Sequence, residues 1–385
     1  MSAESASVGD ESASPAIPGV GSGSAVVPLE ASLPKRILPS LRIRALRGSA
    51  WTTFDYVVAK GLSLISNLIL TRLLVPHEKG LMDICTIVIT GLHMFSDIGI
   101  GPNIIFSKRG DQPEFLNTAW TIQVGRGFAL FLFTCFAAWP TAWIYGEPRL
   151  TYLLPICGFT SFILGFTSTS LVMLNRQMRL ATMTILHLIA QVLTIIVMVT
   201  WAWFSPTVWS LVAGTYVMTI FRVVYSHMLV REHKTRFTWN RADAKSMFYF
   251  GRWIFMSTVL TFFAINLDRL LFAKLLGVAA NAVYNNAVLF AALPQQLIKK
   301  IGAQVGFPVL AEVARDRPEE LPHQFRRVRY PQVFVSLAVV VGLIVCAKPL
   351  IQILYEGQWQ DAGPMLRILA VGAMGGMLNS TYGAA

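Results

Sequence analysis

The stretch ATMTILHLIAQVLTIIVMVTWAWF, Ala181–Phe204, decides the fold: 24 consecutive residues contain no Asp, Glu, Lys or Arg. A helix of that length is about 36 Å long, against a bilayer hydrocarbon core of about 30 Å. Arg176 and Arg179 precede it, and Ser205 and Pro206 follow, so one end is basic and the other is a short polar turn. The run is too long for the 9–11 residues of a membrane-barrel strand and lacks a two-residue alternation.

Outward from this run, the chain repeats the pattern. Ten apolar segments are long enough to cross a bilayer: 50–75, 81–107, 117–140, 150–173, 181–204, 207–229, 248–276, 281–309, 331–354 and 364–384. The expected fold class is an all-α polytopic membrane protein. Composition agrees: of 385 residues, 54% are hydrophobic and only 14% charged, where a soluble domain carries roughly 25%. So little charge cannot wet the surface of a cytosolic enzyme of this length.

The formal net charge is +12. Basic residues fall between the apolar runs, where they read as topology signals rather than as a nucleic-acid footprint. One set of connections holds Lys35 to Arg47, Lys108 and Arg109, Arg176 and Arg179, Arg231 to Lys245, and Arg315 to Arg329. The opposite set holds only Lys79 and Arg149, with Arg72, Lys274, Lys348 and Arg367 at its margins. The basic side is expected to be cytoplasmic, with the N-terminus inside and very short outer loops. Trp139, Trp143, Trp201, Trp203 and Trp209 gather at outer ends, as an interfacial belt does.

A shift of 202 residues superposes the first segment on the seventh: Trp51 on Trp253, Arg72 on Lys274, Leu73 and Leu74 on Leu275 and Leu276. Six segments separate the copies, so a true repeat runs parallel and makes two bundles side by side, with a substrate path between them. The expected organisation is a disordered tail with a basic juxtamembrane segment over 1–47, a first six-helix bundle over 48–230, a cytoplasmic linker over 231–247, and a second bundle over 248–385. The second bundle has only four segments and is expected to be incomplete.

Ionisable groups inside the hydrocarbon region are costly and mark function. The carboxylates there are Asp55, Asp97 and Asp268; the cations are Lys60, Arg72, Arg126, Arg222, Arg269, Lys274, Lys299 and Lys300. Snorkelling from a helix end accounts equally for Arg72, Lys274 and Arg222. Asp55 and Lys60 sit only loosely on one face, so a partner on another helix is an alternative. The six histidines and four cysteines are scattered, without metal-ligand spacing, GxSxG or a Walker motif. No metal, cofactor or catalytic residue is expected, and the chain reads as a non-enzyme.

Several stretches resemble signatures of the Wzx-type bacterial polysaccharide flippases, members of the multidrug/oligosaccharidyl-lipid/polysaccharide exporter superfamily. They are Leu70-Thr-Arg-Leu-Leu-Val-Pro-His-Glu-Lys-Gly80, Phe95-Ser-Asp-Ile-Gly-Ile100, and Asn266-Leu-Asp-Arg-Leu-Leu-Phe-Ala-Lys-Leu-Leu-Gly277 followed by Ala282-Val-Tyr284. Phe307-Pro-Val-Leu310, Leu354-Tyr-Glu-Gly-Gln-Trp359 and Leu366-Arg-Ile-Leu369 fit later segments, so the resemblance runs over residues 45–380. It implies a MATE-like fold of two six-helix bundles in the bacterial inner membrane. The implied activity is moving an undecaprenyl-pyrophosphate-linked oligosaccharide between leaflets by alternating access. The implied partners are a polysaccharide polymerase and a chain-length regulator.

On that reading Lys60, Arg72, Arg269 and Lys274 attract pyrophosphate or acidic sugars, and Asp55, Asp97 and Asp268 carry a coupling ion or balance the cations. Two alternatives stand beside it. A MATE-like drug or cation antiporter would want an acidic cavity, whereas cations outnumber carboxylates here. A polymerase- or ligase-type membrane enzyme would want a large outer loop, and the outer loops are short.

Overall fold

In a computed structural model the described residues are 37–380, apart from 98, 108, 111, 177–179, 229–235, 302–317 and 356. Residues 1–36 of the expected 1–47 tail segment lie outside them, as do residues 231–235 of the linker and the Phe307–Leu310 motif. The chain falls into two compact units, Met1–Arg44 and Ala45–Ala385. Of the first, only a helical stretch from Ile37 is described. The rest of the architecture is that of the second.

The described residues are helical, with no strand among them. In chain order the helices are α1 (Ile37–Leu73), α2 (Pro76–Phe95), α3 (Ile100–Phe106), α4 (Pro113–Tyr145), α5 (Leu150–Gly165) and α6 (Ser170–Arg176). They continue with α7 (Leu180–Phe204), α8 (Val208–Met228), α9 (Arg241–Leu275), α10 (Val278–Ile301), α11 (Leu321–Leu354) and α12 (Ala362–Ser380). Each of the ten expected segments has most of its described residues in helix. Among the described residues, seven helical spans are long and apolar enough to cross a membrane.

Two expected spans are broken rather than continuous. The segment at 81–107 divides into α2 and α3 at the Ser96–Gly99 bend. There the Asp97 carboxylate accepts the Gly99 N–H at 2.9 Å, and Gly99 takes φ 64°, a left-handed conformation that a side chain would strain. The segment at 150–173 divides into α5 and α6 at Phe166–Thr169. The freed carbonyls are accounted for: Gln123 Nε2 donates to those of Leu164, Gly165 and Thr167, and His227 Nε2 lies 2.8 Å from that of Phe166. Broken helices at membrane depth persist only where protein or a polar cavity satisfies their backbone in this way.

The packing is inverted relative to a soluble domain. Phe204, Trp143 and Phe136 are 87%, 76% and 76% exposed, whereas Thr118, Ser210, Ser226 and Asn281 are completely covered. Trp139, Trp143 and Trp203 stand in the exposed apolar surface where an aromatic belt belongs. Small residues set the close crossings: a Cβ on Gly127 of α4 would meet the Ser161 carbonyl at 2.8 Å and the Gly165 Cα at 3.0 Å on α5. One core gathers Leu81 and Ile84 of α2 with Leu153 and Leu154 of α5, Val212 of α8 and Ala273 of α9. A second gathers Phe290 of α10, Ile351 of α11, Trp359 and Leu366, with Leu64 and Leu68 of α1 against it.

The 202-residue repeat is visible in the helix boundaries. α1 ends at Leu73 and α9 at Leu275; α2 starts at Pro76 and α10 at Val278. The match of Trp51 to Trp253 cannot be followed, since the Trp253 side chain lies outside the described ones.

Candidate functional site

The surface where α1 and α2 meet α9, α10 and the α11–α12 connection is polar, although each of these helices is otherwise apolar. The local sequence makes it so. On α10, Asn281 and Asn285 fall at i and i+4 on one face, and Asn286 lies about 100° further round the helix. On α2, Lys79 and Asp83 fall at i and i+4, one above the other.

Two chains of hydrogen bonds cross this surface. In the first, the Tyr355 hydroxyl donates to Asn67 Oδ1 at 2.7 Å, Asn67 Nδ2 donates to Asn286 Oδ1 at 3.2 Å, and Lys79 Nζ also donates to Asn286 Oδ1. Lys79 lies over the Trp359 ring at 5.3 Å, a cation–π placement that keeps the ammonium at this surface. Trp359 is itself fully buried and donates Nε1–H to the Thr71 carbonyl at 2.9 Å. Burial pushes the Tyr355 phenol above its ordinary pKa, so it stays a neutral donor.

In the second chain, Asn285 Nδ2 donates to Asp83 Oδ2 at 2.9 Å. The positive neighbours of the Asp83 carboxylate are Lys79 and Arg269. Asp83 and Asn285 are 202 residues apart, the repeat offset itself. Equivalent residues of two copies can touch only beside the axis that relates the copies, which places this pair at the centre of the surface. Nearby, the Tyr284 hydroxyl donates to Asp268 Oδ2 at 2.5 Å.

The surface is not fully satisfied. Arg269 Nε, both side-chain polar atoms of Asn281, Asn285 Oδ1 and Asn286 Nδ2 are buried without a hydrogen-bond partner. Each such group carries a desolvation cost of about 1–3 kcal/mol.

The sequence-derived candidates do not converge. Asp268 and Arg269 lie in this surface on α9. Arg72 and Lys274 are exposed at their helix ends, Lys274 donating to the Ile144 carbonyl. Asp55 pairs with His187 on α7 at 3.0 Å, so its partner is on another helix and is not Lys60. Lys60 is half-buried on α1. Asp97 sits at the α2–α3 bend, 4.0 Å from Arg126 Nη1. Asn67, Lys79, Asp83, Asn285, Asn286 and Tyr355 were not among the candidates. The signal that could have found them is the i, i+4 spacing of Lys79 with Asp83 and the three asparagines within six residues of α10.

Among the described residues no cluster of three or more His, Cys, Asp or Glu could hold a metal ion. Cys85 and Cys157 are buried, Cys135 partly so, and Cys346 exposed; all four are free thiols.

Residues 69–364 match the family model described as polysaccharide biosynthesis protein. The lipopolysaccharide biosynthesis protein WzxC of Escherichia coli (strain K12) is 22% identical over 337 residues, 86% of this chain and 67% of WzxC. The succinoglycan biosynthesis transport protein ExoT of Rhizobium meliloti (strain 1021) is 24% identical over 84% of this chain and 65% of ExoT. The teichuronic acid biosynthesis protein TuaB of Bacillus subtilis (strain 168) is 21% identical over 87% of this chain and 69% of TuaB. The chain therefore spans about two thirds of the length of these relatives. An outward-facing structure of a multidrug resistance MATE family transporter of the MOP superfamily superposes with TM-score 0.54 at 15% identity, over 88% of this chain and 82% of that one. That likeness is one of fold: the chain is a multi-pass membrane protein of MATE-like architecture.

Proposed function

This chain belongs to the polysaccharide biosynthesis protein family, and from that membership we propose that it is a lipid-linked oligosaccharide flippase. It moves undecaprenyl-pyrophosphate-linked repeat units across the bacterial inner membrane by alternating access, with its N-terminus cytoplasmic. The transport role in the name of ExoT favours this over an enzymic role. A polymerase and a chain-length regulator are the expected partners, since a flipped repeat unit is a substrate for chain growth.

The observation that carries the reading is the polar surface between the repeat copies. An anionic, hydrated head group cannot cross hydrocarbon, and the path offered to it must replace its water with fixed polar groups. Lys79, Asp83, Arg269, Asn285 and Asn286 line up at the pseudo-axis, on the side that charge asymmetry assigns to the outside. In the state described, Asp83 bonds to Asn285, and Lys79 and Asn67 bond to Asn286, across the surface. We place them as the outer closure: they pair with one another when the path is shut and turn to water or head group when it opens. Of the sequence-derived cations, Arg269 is placed for that exchange, since its Nε lacks a partner here. Lys60, Arg72 and Lys274 are proposed to act elsewhere on the path, and Asp55, Asp97 and Asp268 as coupling or balancing carboxylates.

The test is complementation of a polysaccharide-producing strain stripped of its own flippase, using the full reading frame. Restored surface polysaccharide is expected, with lipid-linked repeat units held on the inner face in cells lacking the protein. Repeat units accumulating on the outer face of such cells would instead identify a polymerising enzyme. Arg269→Gln is expected to lower surface polysaccharide at unchanged membrane level.

A further inference from the structure

A second polar site lies away from the inter-copy surface, inside the first six segments. A cavity of about 270 Å³ opens beside α2, α4, α5 and α8 and is lined by His93, Gln123, Arg126, Ser161, Thr167 and Arg222 among others. Both broken spans border it, one through His93, three residues before the Ser96–Gly99 bend, and the other through Thr167 and Ser168 of the Phe166–Thr169 break.

Its charge is positive. Arg126 and Arg222 both line it, and Asp97, 4.0 Å from Arg126, is the one carboxylate within ion-pairing reach among the described residues. Arg126 is aimed rather than loose: Nε donates to Ser96 Oγ at 2.9 Å and Nη2 to the His93 carbonyl at 2.8 Å. Those bonds fix the guanidinium plane and leave further N–H groups unspent, since guanidinium has five. Arg222 has no hydrogen-bond or carboxylate partner among the described residues, and is exposed. Its position on α8, six residues before the last, puts its Cα about 9 Å inside the helix end. Finally, Thr167 is only 8% exposed, lines the cavity, and its Oγ1 has no partner.

A buried hydroxyl without a partner, an oriented guanidinium and one unpaired among the described residues, around a space large enough for several waters, form a donor set with N–H and O–H groups to spare. We propose that this cavity is an oxyanion site that takes a phosphate-type group, held by Arg126 and Arg222 in charge-assisted bonds and by the Thr167 hydroxyl. Guanidinium matches phosphate oxygens bidentately, which a lysine or a neutral side chain does not. The phosphate can belong to a membrane lipid head group, because Arg222 lies near a helix end, or to free phosphate or pyrophosphate reaching the opening. The site stands on its own residues and does not depend on the transport reading.

The test uses the purified full chain with two sets of probes. In detergent, thermal unfolding is followed against inorganic phosphate and pyrophosphate at ionic strength matched with sodium chloride. In nanodiscs, it is followed against the fraction of phosphatidylglycerol in phosphatidylcholine. A ligand that binds only the folded state raises the midpoint with its concentration in a saturable way. Expected is such a rise in at least one arm, with Arg222→Gln weakening it about tenfold or more and Arg222→Lys restoring part of it. Thr167→Val, which keeps the shape, is expected to weaken it less. The arm that responds names the source of the phosphate. No saturable rise in either arm, or a rise that Arg222→Gln leaves unchanged, overturns the proposal. Since this readout is binding, its failure is separable from a failure to restore polysaccharide.

Discussion

Gly80 is where α2 comes closest to α10, and adding one methyl there should open the inter-copy surface. A Cβ on Gly80 would lie 2.2 Å from the Val278 carbonyl oxygen, 2.7 Å from its Cγ1 and 2.9 Å from its carbonyl carbon. An ordinary close C···O approach is about 3.3–3.6 Å, so Gly80→Ala forces the helices apart by about 1 Å. Overpacking of this kind costs about 1–3 kcal/mol, and backbone cannot swing aside as a side-chain tip would. If the surface opens and closes during transport, the same energy shifts that equilibrium about 5- to 150-fold towards the open arrangement. The control is Gly61→Ala on α1, where nothing lies within 4 Å; helix propensity predicts a gain of about 0.5–1 kcal/mol. Adding Val278→Ala to Gly80→Ala removes Cγ1 but leaves the carbonyl oxygen, so it should recover only part of the loss. Denaturant unfolding of the four proteins in one detergent measures the difference. Equal stability of Gly80→Ala and Gly61→Ala would refute the close approach and the argument built on it.

Tyr355→Phe leaves Asn67 Oδ1 without its donor and should cost about 1–2 kcal/mol. Because burial raises the Tyr355 pKa, its contribution is complete below the ordinary phenol value of about 10 and is lost as pH rises towards the raised one. Unfolding free energy should therefore fall in alkali more in the native protein than in Tyr355→Phe. Glu78 accepts from Arg149 at 2.7 Å and from the Val208 backbone N–H at 2.9 Å, tying α2 to the starts of α5 and α8. Glu78→Ala should lower unfolding free energy by about 1–3 kcal/mol, of which Glu78→Gln recovers only part, since its amide keeps one acceptor and turns an NH2 towards the other donor. For the half-exposed Asp55–His187 pair, a double-mutant cycle with Asp55→Asn and His187→Ala should give a coupling of about 1 kcal/mol or less, shrinking in salt. A much larger coupling would mark the pair as more than a surface tie between α1 and α7.

How much of this was legible depended on range. The ten segments were legible because a membrane imposes its length on every crossing helix, and a run such as Ala181–Phe204 has no soluble alternative. The repeat was legible because its copies still end on a cation and a leucine pair, and the helices do end there, at Leu73 and Leu275. The breaks are less legible. At Phe95–Ile100 the one local signal is Asp-x-Gly, whose physical content is an Asx turn into a left-handed glycine. At Phe166–Thr169 there is no Gly or Pro in the break, and what holds it open is Gln123 and His227, more than forty residues away in either direction. The site was least legible because a search for intramembrane charge follows single residues. Asp55 pairs sideways with His187, Arg72 is exposed at its helix end, and Lys274 is spent on the Ile144 carbonyl. The surface between copies is made mostly of amides and hydroxyls, whose meaning appears only when α2 and α10 are brought together.

The pairing at the axis also explains why the two copies differ there. Were both equivalents aspartate, two carboxylates would face each other at hydrogen-bond distance, and one would have to hold a proton for the halves to meet. Were both asparagine, the amides would pair, but Lys79 would lie at the surface without the carboxylate one turn along its own helix. One aspartate and one asparagine avoid both faults. Asp83 balances Lys79 and Arg269, and Asn285 offers it an uncharged N–H at 2.9 Å. The asymmetry leaves Asn285 Oδ1 without a partner among the described residues, at a desolvation cost of about 1–3 kcal/mol, smaller than that of two facing carboxylates.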